Sequence, residues 1–443
     1  MKTFQTPSFP VPVLAEPDVC VVGGGPAGLA AAVGAARSGQ RVLLLEKYGF
    51  CGGATVAGLS GTICGLYAGG GPARQIVFGF AGEFAGRLRA RGGLGEPVRF
   101  GRTWLAPHDP FCWKETADEL LAAAGVVVRY HTVFLKAYAD ASGAVRTLLV
   151  RGPEGIYAVE PKAVVDASGD AEVVASLGGG TGQGRDGVVQ TPTMVFRMGG
   201  VNMGKFLRTE PEEIERLAAE ASRSGSHALP RHHVYVFPMP NRAEALCNMT
   251  RITLPGGRAP RPLSGEDLSF AEAAGRGQVR EYARFLRDRV PGFAGAHLVD
   301  SGTQVGIRQT RSIVGVGRLT NADVLSGRKY PGSATFSAWP IEVHAAEGSG
   351  VTIHHLENDT YDIPFEALVP AAGPNLLAAG RCLSAEHEAL ASARVTAQCL
   401  GMGYAAGAAC GLMRAEGLAS QVLTGPAVRA WMHARGLKTA DQS

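Results

Sequence analysis

Residues 18–47 read "DVCVVGGGPAGLAAAVGAARSGQRVLLLEK". Apolar Val19 to Val22 run straight into Gly23, the small residues Ala30 to Ala32 and Gly34 to Ala36 keep the next segment slim, and Gly39 ends it before "RVLLLE". The pattern predicts strand, glycine turn, helix and strand, one βαβ unit. Both strands are continuous apolar runs, as a parallel sheet covered on both faces requires. Within the turn, Gly23-x-Gly25-x-x-Gly28 has a chemical purpose. Gly23 allows the tight turn, Gly25 lets the backbone approach a pyrophosphate, and Gly28 lets the helix pack closely on the strand, with the helix N-terminus facing the anion. Glu46 follows 18 residues after Gly28, at the end of the second strand. A carboxylate there binds ribose hydroxyls and repels a 2′-phosphate, so the stretch predicts a dinucleotide site.

The bulk numbers suit such a protein. With 443 residues and 46% hydrophobic side chains, the chain has room for two to three folding units around sizeable cores. Charged residues make up 19% and the net charge is +4, so no strong field argues for nucleic acid or an acidic membrane surface. The 61 glycines follow no G-X-Y period and serve turns and close backbone approach instead. The N-terminal "MKTFQTPSFPVPVLAEPDVC" shows no signal-peptide pattern. No apolar run reaches the ~20 residues that cross a bilayer. Eight scattered cysteines without a CxxC pair point to free thiols in a reducing cytoplasm. A cytoplasmic protein with no membrane span and no nucleic-acid partner is the expectation, and homo-oligomerisation stays open.

Further along, "KETADELLAAAG" predicts a helix, and "VVVRYHTVFLKAYAD", "AVRTLLVRG" and "IYAVEPKAVVDASGD" have strand composition. The middle changes character. "TEPEEIERLAAEASRSG" predicts a helix capped by Thr209 with Glu212 three residues on, and a second helix is capped by Ser264 and stops before Pro291. A strand pair, "HHVYVFPMP" and "EALCNMTRITLP", lies between them. "GGGTGQG", 178–184, has no strand feeding it and no helix leaving it, so it reads as a loop rather than a second dinucleotide fingerprint. The late "NLLAAGRCLSAEHEALASARVTAQCLGMGYAAGAACGLMRAEG" predicts a strand entering Gly380 and a long, buried Ala/Gly helix. His232-His233 and His354-His355 lack the spacing of a metal site.

The order and spacing of the 18–58 segment, "AVVDASGDAEVVASLGG", "GIRQTRSIVGVGRLTNADV", "YDIPFEALVP" and the late block resemble the bacterial FAD-dependent oxidoreductase family. That family lies within the wider class of glutathione-reductase-type and fumarate-reductase-like flavoproteins. The resemblance implies an α/β fold: a Rossmann-like FAD-binding domain with a parallel sheet, plus an inserted α+β substrate (cap) domain. It divides the chain into 16–190 and 341–420 for the FAD-binding domain, 191–340 for the cap, and 421–443 as a C-terminal tail.

It also assigns residues. Gly23, Gly25, Ala27 and Gly28 would face the FAD pyrophosphate, Glu46 and Lys47 would flank the adenosine ribose, and the backbone of Val133 would hold adenine. Cys51, Gly52, Gly53 and Thr55 form the loop passing close to the phosphates and isoalloxazine. Ser168 and Gly169, in "DASG", resemble the second glycine turn near the cofactor, and Gly380-Arg381 the late motif at the phosphate and ribityl chain. A helix starting near Ser392 and including Val395 would aim its N-terminus at the flavin pyrimidine edge, where negative charge builds on reduction.

Cys51 is open to three readings: a packed thiol, a redox or substrate-touching thiol, or a thioether to FAD. The dithiol of glutathione-type reductases is absent, since Thr55 and Ser60 hold its two places, and no histidine between 46 and 58 offers a covalent anchor. For catalysis the candidates are His387, His344 and Arg308. Either histidine could take a proton or be structural; His344 stands in a family position with Glu342 two residues before it. Arg308 and Arg311 could bind a substrate carboxylate or bridge the lobes. The implied activity is hydride transfer from a C–H bond of a small organic substrate to flavin N5, as a dehydrogenase or oxidase. The electron acceptor would be oxygen, a quinone or a partner protein. The alternatives are a flavin monooxygenase and an electron-transfer flavoprotein subunit, the second without the iron–sulfur cysteine clusters such subunits bring.

Overall fold

The structure is a computed structural model, which describes residues 9–344 and 351–443. Its centre is a five-stranded parallel sheet in the order Leu376–Ala378, Ala163–Asp166, Val19–Val22, Val42–Leu45, Val127–Arg129. The four residues in each of Val19–Val22, Val42–Leu45 and Ala163–Asp166 are all buried, which explains their lack of polar alternation. One face is covered by helices Pro26–Arg37 and Thr396–Glu416. These two approach backbone to backbone, because a Cβ on Gly403 or Gly407 would collide with the carbonyl oxygens of Ala27 and Ala31. Residues 396–413 of the later helix are buried throughout, as its Ala/Gly composition predicts. The other face carries a four-stranded sheet, Val13–Ala15, Gly155–Val159, Val145–Gly152 and Val133–Ala139.

A second body with its own core spans Met194 to Val305. Strands Tyr235–Pro238, Glu244–Asn248, Phe196–Gly199 and His297–Ser301 form an antiparallel sheet in that order. Helices Pro211–Arg223 and Gly265–Arg289 pack on it, burying Ile214, Tyr282 and Phe285 among others. The fold is α/β, a Rossmann-like parallel sheet with antiparallel sheets added.

Several local expectations change. Ser264 does cap its helix, accepting from the Asp267 N–H, but Thr209 donates its hydroxyl to Lys205 O instead. Glu210 is the residue before the first turn there, and Pro211, with its fixed φ, opens the helix. The expected loop at "GGGTGQG" contains a short strand, Thr181–Gln183, paired antiparallel with Arg311–Ile313. With Gly315 bridged to Pro370 and Leu319 to Ala385, the chain rejoins the first body well before position 341. Residues 421–443 are no free tail: helix Gly425–Ala434 buries Val428 and Met432 in the main core, and Ala440 O and Gln442 O accept from the Phe78 and Gly79 amides.

Candidate functional site

The glycine turn is built to present bare backbone. Gly23 has φ +97°, and a Cβ on it would stand 2.6 Å from Ala167 O. A Cβ on Gly28 would collide with Gly23 O, so both glycines serve packing. Gly25 differs: a Cβ there would meet only the Gly53 Cα, at 3.9 Å. It precedes helix Pro26–Arg37 with no side-chain cap, leaving first-turn N–H groups such as that of Ala27 without intrahelical acceptors. This uncapped N-terminus behind an open glycine is a cradle fitted to a pyrophosphate.

Around it stand the other residues expected at a cofactor. Glu46 is buried and its two oxygens accept from Gly24 N–H at 2.6 Å and Tyr48 N–H at 2.8 Å. Burial raises its carboxyl above the usual range, against those backbone donors. Each oxygen keeps a second lone pair for a ribose hydroxyl. Lys47 is exposed, its Nζ 5.3 Å from the Tyr48 ring centroid. Val133 opens its strand beside Glu46, because Thr132 N–H donates to Glu46 O at 2.9 Å.

The loop from Cys51 turns through Gly52 and Gly53, both at positive φ, into the Gly53–Thr55 turn beside Gly25. Cys51 is sealed behind it: its Sγ lies 2.7 Å from where a Gly24 Cβ would be, Tyr130 Oη approaches at 3.8 Å, and burial pushes the thiol up. Ser168 and Gly169 close the second turn, held by Asp166, which accepts from Ser168 Oγ, Val173 N–H and Val174 N–H. Gly380 packs on Ala27, and Arg381 pairs with Asp170 at 2.9 Å. The expected helix start near Ser392 is corrected. Ser392 lies in a short helix, His387–Ala393; extended Val395 breaks the chain, and the long helix begins at Thr396.

A second, polar space is closed by segments distant in sequence. Thr191, Arg231, Thr250, Arg251, Arg308, His344 and Val351 line a small space of about 10 Å³, room for about one water. A short ladder joins it to the loop beside Gly25. Gln304 N–H donates to Ala57 O, Gly306 and Thr193 exchange backbone bonds, and Thr191 N–H donates to His344 O at 3.1 Å. Alternation along strand Ile341–His344 puts Glu342 and His344 on one face, with Nε2 3.2 Å from Oε1. Burial opposes the Glu342 charge, but the His344 ring and the Arg308 and Arg394 charges outweigh it and hold the carboxyl at about 2. Burial and Arg308 push His344 well below its ordinary 6.5. The pair is therefore a neutral imidazole donating Nε2–H to a carboxylate, which leaves the basic lone pair on Nδ1.

Arg308 is 8% exposed and donates from Nη1 to Thr191 O at 2.6 Å. Burial, then Arg231 and Arg394, disfavour its charge. Arg394 donates to Gln190 Oε1 at 3.1 Å, and burial lowers its pKa to about 10. Arg231 is 3% exposed, 4.9 Å above the Tyr235 ring, with Nη1 3.4 Å from Asn248 Oδ1. Arg231 Nε and Nη2, Arg394 Nε, Gln190 Nε2 and the Tyr235 hydroxyl are buried without a hydrogen-bond partner among the described residues.

The structure thus brings His344 and Arg308 together but not His387. His387 opens its short helix half-buried, outside the cavity lining, and burial lowers its pKa. Arg311 donates to Asp170 O at 2.7 Å, an architectural bond. His233 pairs with Glu215 at 2.6 Å. Arg231, Arg394, Tyr235 and Gln190 escaped sequence reading; the available signals were Arg394 directly before Val395 in the late block and Arg231 directly before the His232-His233 pair.

A family model described as FAD dependent oxidoreductase matches residues 18–432. No curated protein matches. Among solved structures, the chain is similar to THI4 of Thermovibrio ammonificans, at 24% identity over 37% of this chain and 61% of that one, TM-score 0.28. It is also similar to the myxobacterial chondrochloren halogenase CndH, at 16% identity over 95% and 79%, TM-score 0.47. A third is the anhydrotetracycline hydroxylase OxyS from Streptomyces rimosus, at 15% over 95% and 66%, TM-score 0.43. The chain spans less than two thirds of the THI4 and OxyS chains.

Proposed function

Because the chain belongs to the FAD-dependent oxidoreductase family, we propose that it oxidises a small organic substrate presented to His344. Gly25, Ala27, Glu46, Gly169 and Arg381 would hold FAD, which would supply the hydride acceptor. His344 Nδ1 takes the proton that leaves the substrate, and Glu342 holds the opposite N–H and stabilises the imidazolium that forms. The enclosing side chains exclude water. The carrying observation is the buried His344–Glu342 pair, 3.2 Å apart, with His344 lining the small space joined to the glycine loop. With Thr55 and Ser60 at the reductase dithiol positions, this reading places the chain with flavoproteins that oxidise substrate directly on the flavin, as the fumarate-reductase-like ones do.

The test is anaerobic bleaching of the flavin absorbance with hydroxy acids, amino acids, sugars and ring alcohols, then exposure to air. Bleaching by one class in the wild type, slowed in His344→Gln with FAD content unchanged, supports the reading. Fast reoxidation in air identifies an oxidase, slow reoxidation a dehydrogenase. Since some matched structures are a hydroxylase and a halogenase, NADPH is included. Bleaching by NADPH and by no substrate replaces the proposal with a flavin monooxygenase.

A further inference from the structure

We infer that the body of the substrate lies in a separate cleft, between the turn at Gly187 and Val188 and the loop 251–261, and that this substrate is an anion with an apolar body. The inference rests on the reading above that His344 takes the substrate's proton, and names the size and charge class of that substrate. Its first ground is room. The space at His344 takes about one water, enough for a reacting end but not for a molecule. The cleft measures about 820 Å³, within the range of about 300–1,000 Å³ that holds organic ligands. The second ground is continuity. Arg251 lines both spaces. Val189 lines the cleft and Thr191, two residues on, the inner space; Thr250 lines the inner space and Thr253 the cleft. Ile252 N–H donates to Pro192 O at 3.3 Å, which holds these two segments side by side, so the same pair of segments runs along both spaces.

The third ground is the chemistry of the walls. Arg251, Arg258 and Arg261 line the cleft. Arg258 and Arg261 both donate to one buried carboxylate, Asp267, at 2.8 and 3.0 Å, and Glu266 of the same helix acts on Arg261. Positive charge is left in excess. Burial and the neighbouring Arg231 disfavour the Arg251 charge, a cost that an anion in the cleft offsets. On the opposite wall Val188 is 56% exposed and offers an apolar contact. Gly256 and Gly257, both at φ +87°, turn the outer loop, and a Cβ on either would meet nothing within 4 Å, so this wall is bare backbone with space in front of it.

Fluorescence titration of the FAD-loaded protein tests this, with anilinonaphthalene sulfonate and its neutral parent, phenylnaphthylamine, as probes of one shape that differ by the anionic group. The sulfonate should bind the wild type more tightly than the neutral probe. Val188→Trp, which fills the cleft from an exposed position, should weaken both by roughly five- to 150-fold. Val188→Glu should weaken the sulfonate alone, by about two- to fivefold against Val188→Gln, as a partly exposed charge is worth. Equal affinity of the two probes in the wild type, no binding of either, or unchanged affinity in Val188→Trp each overturn the inference. In the bleaching assay, a substrate that reduces the wild-type flavin should be displaced by the sulfonate and slowed in Val188→Trp, with reduction by dithionite unchanged. Probe binding lost in Val188→Trp, with no substrate reducing the flavin, upholds the cleft as an anion site and removes the proposed oxidation. A substrate oxidised equally by wild type and Val188→Trp keeps the oxidation and overturns the cleft as its seat.

Discussion

Gly25→Ala separates a glycine kept for a ligand from one kept for packing. At Gly25 the backbone is φ −64°, ψ −179°, a conformation alanine adopts freely, and the nearest atom to its new Cβ is 3.9 Å away, an ordinary contact. In the cofactor-free protein the substitution should therefore be neutral or stabilising by about 0.4–1 kcal/mol, through the unfolded chain's lost freedom. The same methyl would project into the cradle in front of the uncapped helix, where a bound pyrophosphate would lie. Overpacking by such a group costs about 1–3 kcal/mol, which at about 1.4 kcal/mol per decade is roughly a five- to 150-fold loss of FAD affinity. Gly28→Ala should behave in the opposite way, since its Cβ collides with Gly23 O, backbone against backbone, and should lower stability with or without FAD. Urea unfolding of the apo-protein and FAD fluorescence titration measure the two terms separately. If Gly25→Ala bound FAD as tightly as the wild type, or unfolded more easily without it, Gly25 would not face the cofactor and the cradle would be misassigned.

Glu342→Gln should slow flavin reduction by roughly 10²–10⁴-fold, the usual worth of a positioned acid–base group, with FAD content unchanged. The Glu342 charge raises the His344 pKa, so its loss should move the acid limb of the pH–rate profile down, and a limb moving up would refute the pairing. Cys51→Ser should leave FAD bound and the protein active, because the thiol is buried behind Gly24 and pushed up by burial; loss of substrate-driven reduction with fold and flavin intact would overturn this. Asp18 is opposed by burial but held well below the usual carboxylate range by Arg41, Lys162 and Arg414. A depressed folded pKa gives stability that is present above the unfolded value and lost as pH falls through the folded one. Asp18→Asn should therefore unfold at lower denaturant than wild type at pH 7, and the gap should close in acid.

Where sequence reading failed, the missing term was a non-local partner. Thr209 has a cap residue's chemistry, yet the short helix Met203–Phe206 offers its hydroxyl the Lys205 carbonyl. Thr181–Gln183 looks like a glycine loop and becomes a strand because Arg311–Ile313 lies beside it. Ser392 sits in a run that reads as one helix, but its hydroxyl is tied to Trp339 O and Tyr361, and the break at Val395 sets the long helix's true N-terminus.

The sequence by itself determined the cofactor half of this protein. Its signals are local: glycines within six positions, apolar runs four residues long, and a carboxylate at the end of the next strand all act through neighbouring backbone. For the other half the sequence offered His344 and Arg308 as candidates beside His387, and their grouping was decided only in three dimensions. Arg231, Arg308, His344 and Arg394 come from four separate segments, and no spacing relates them. Whether a guanidinium is paired, or left buried with its donors open, is a property of the packed neighbours around it, and only the fold supplies those.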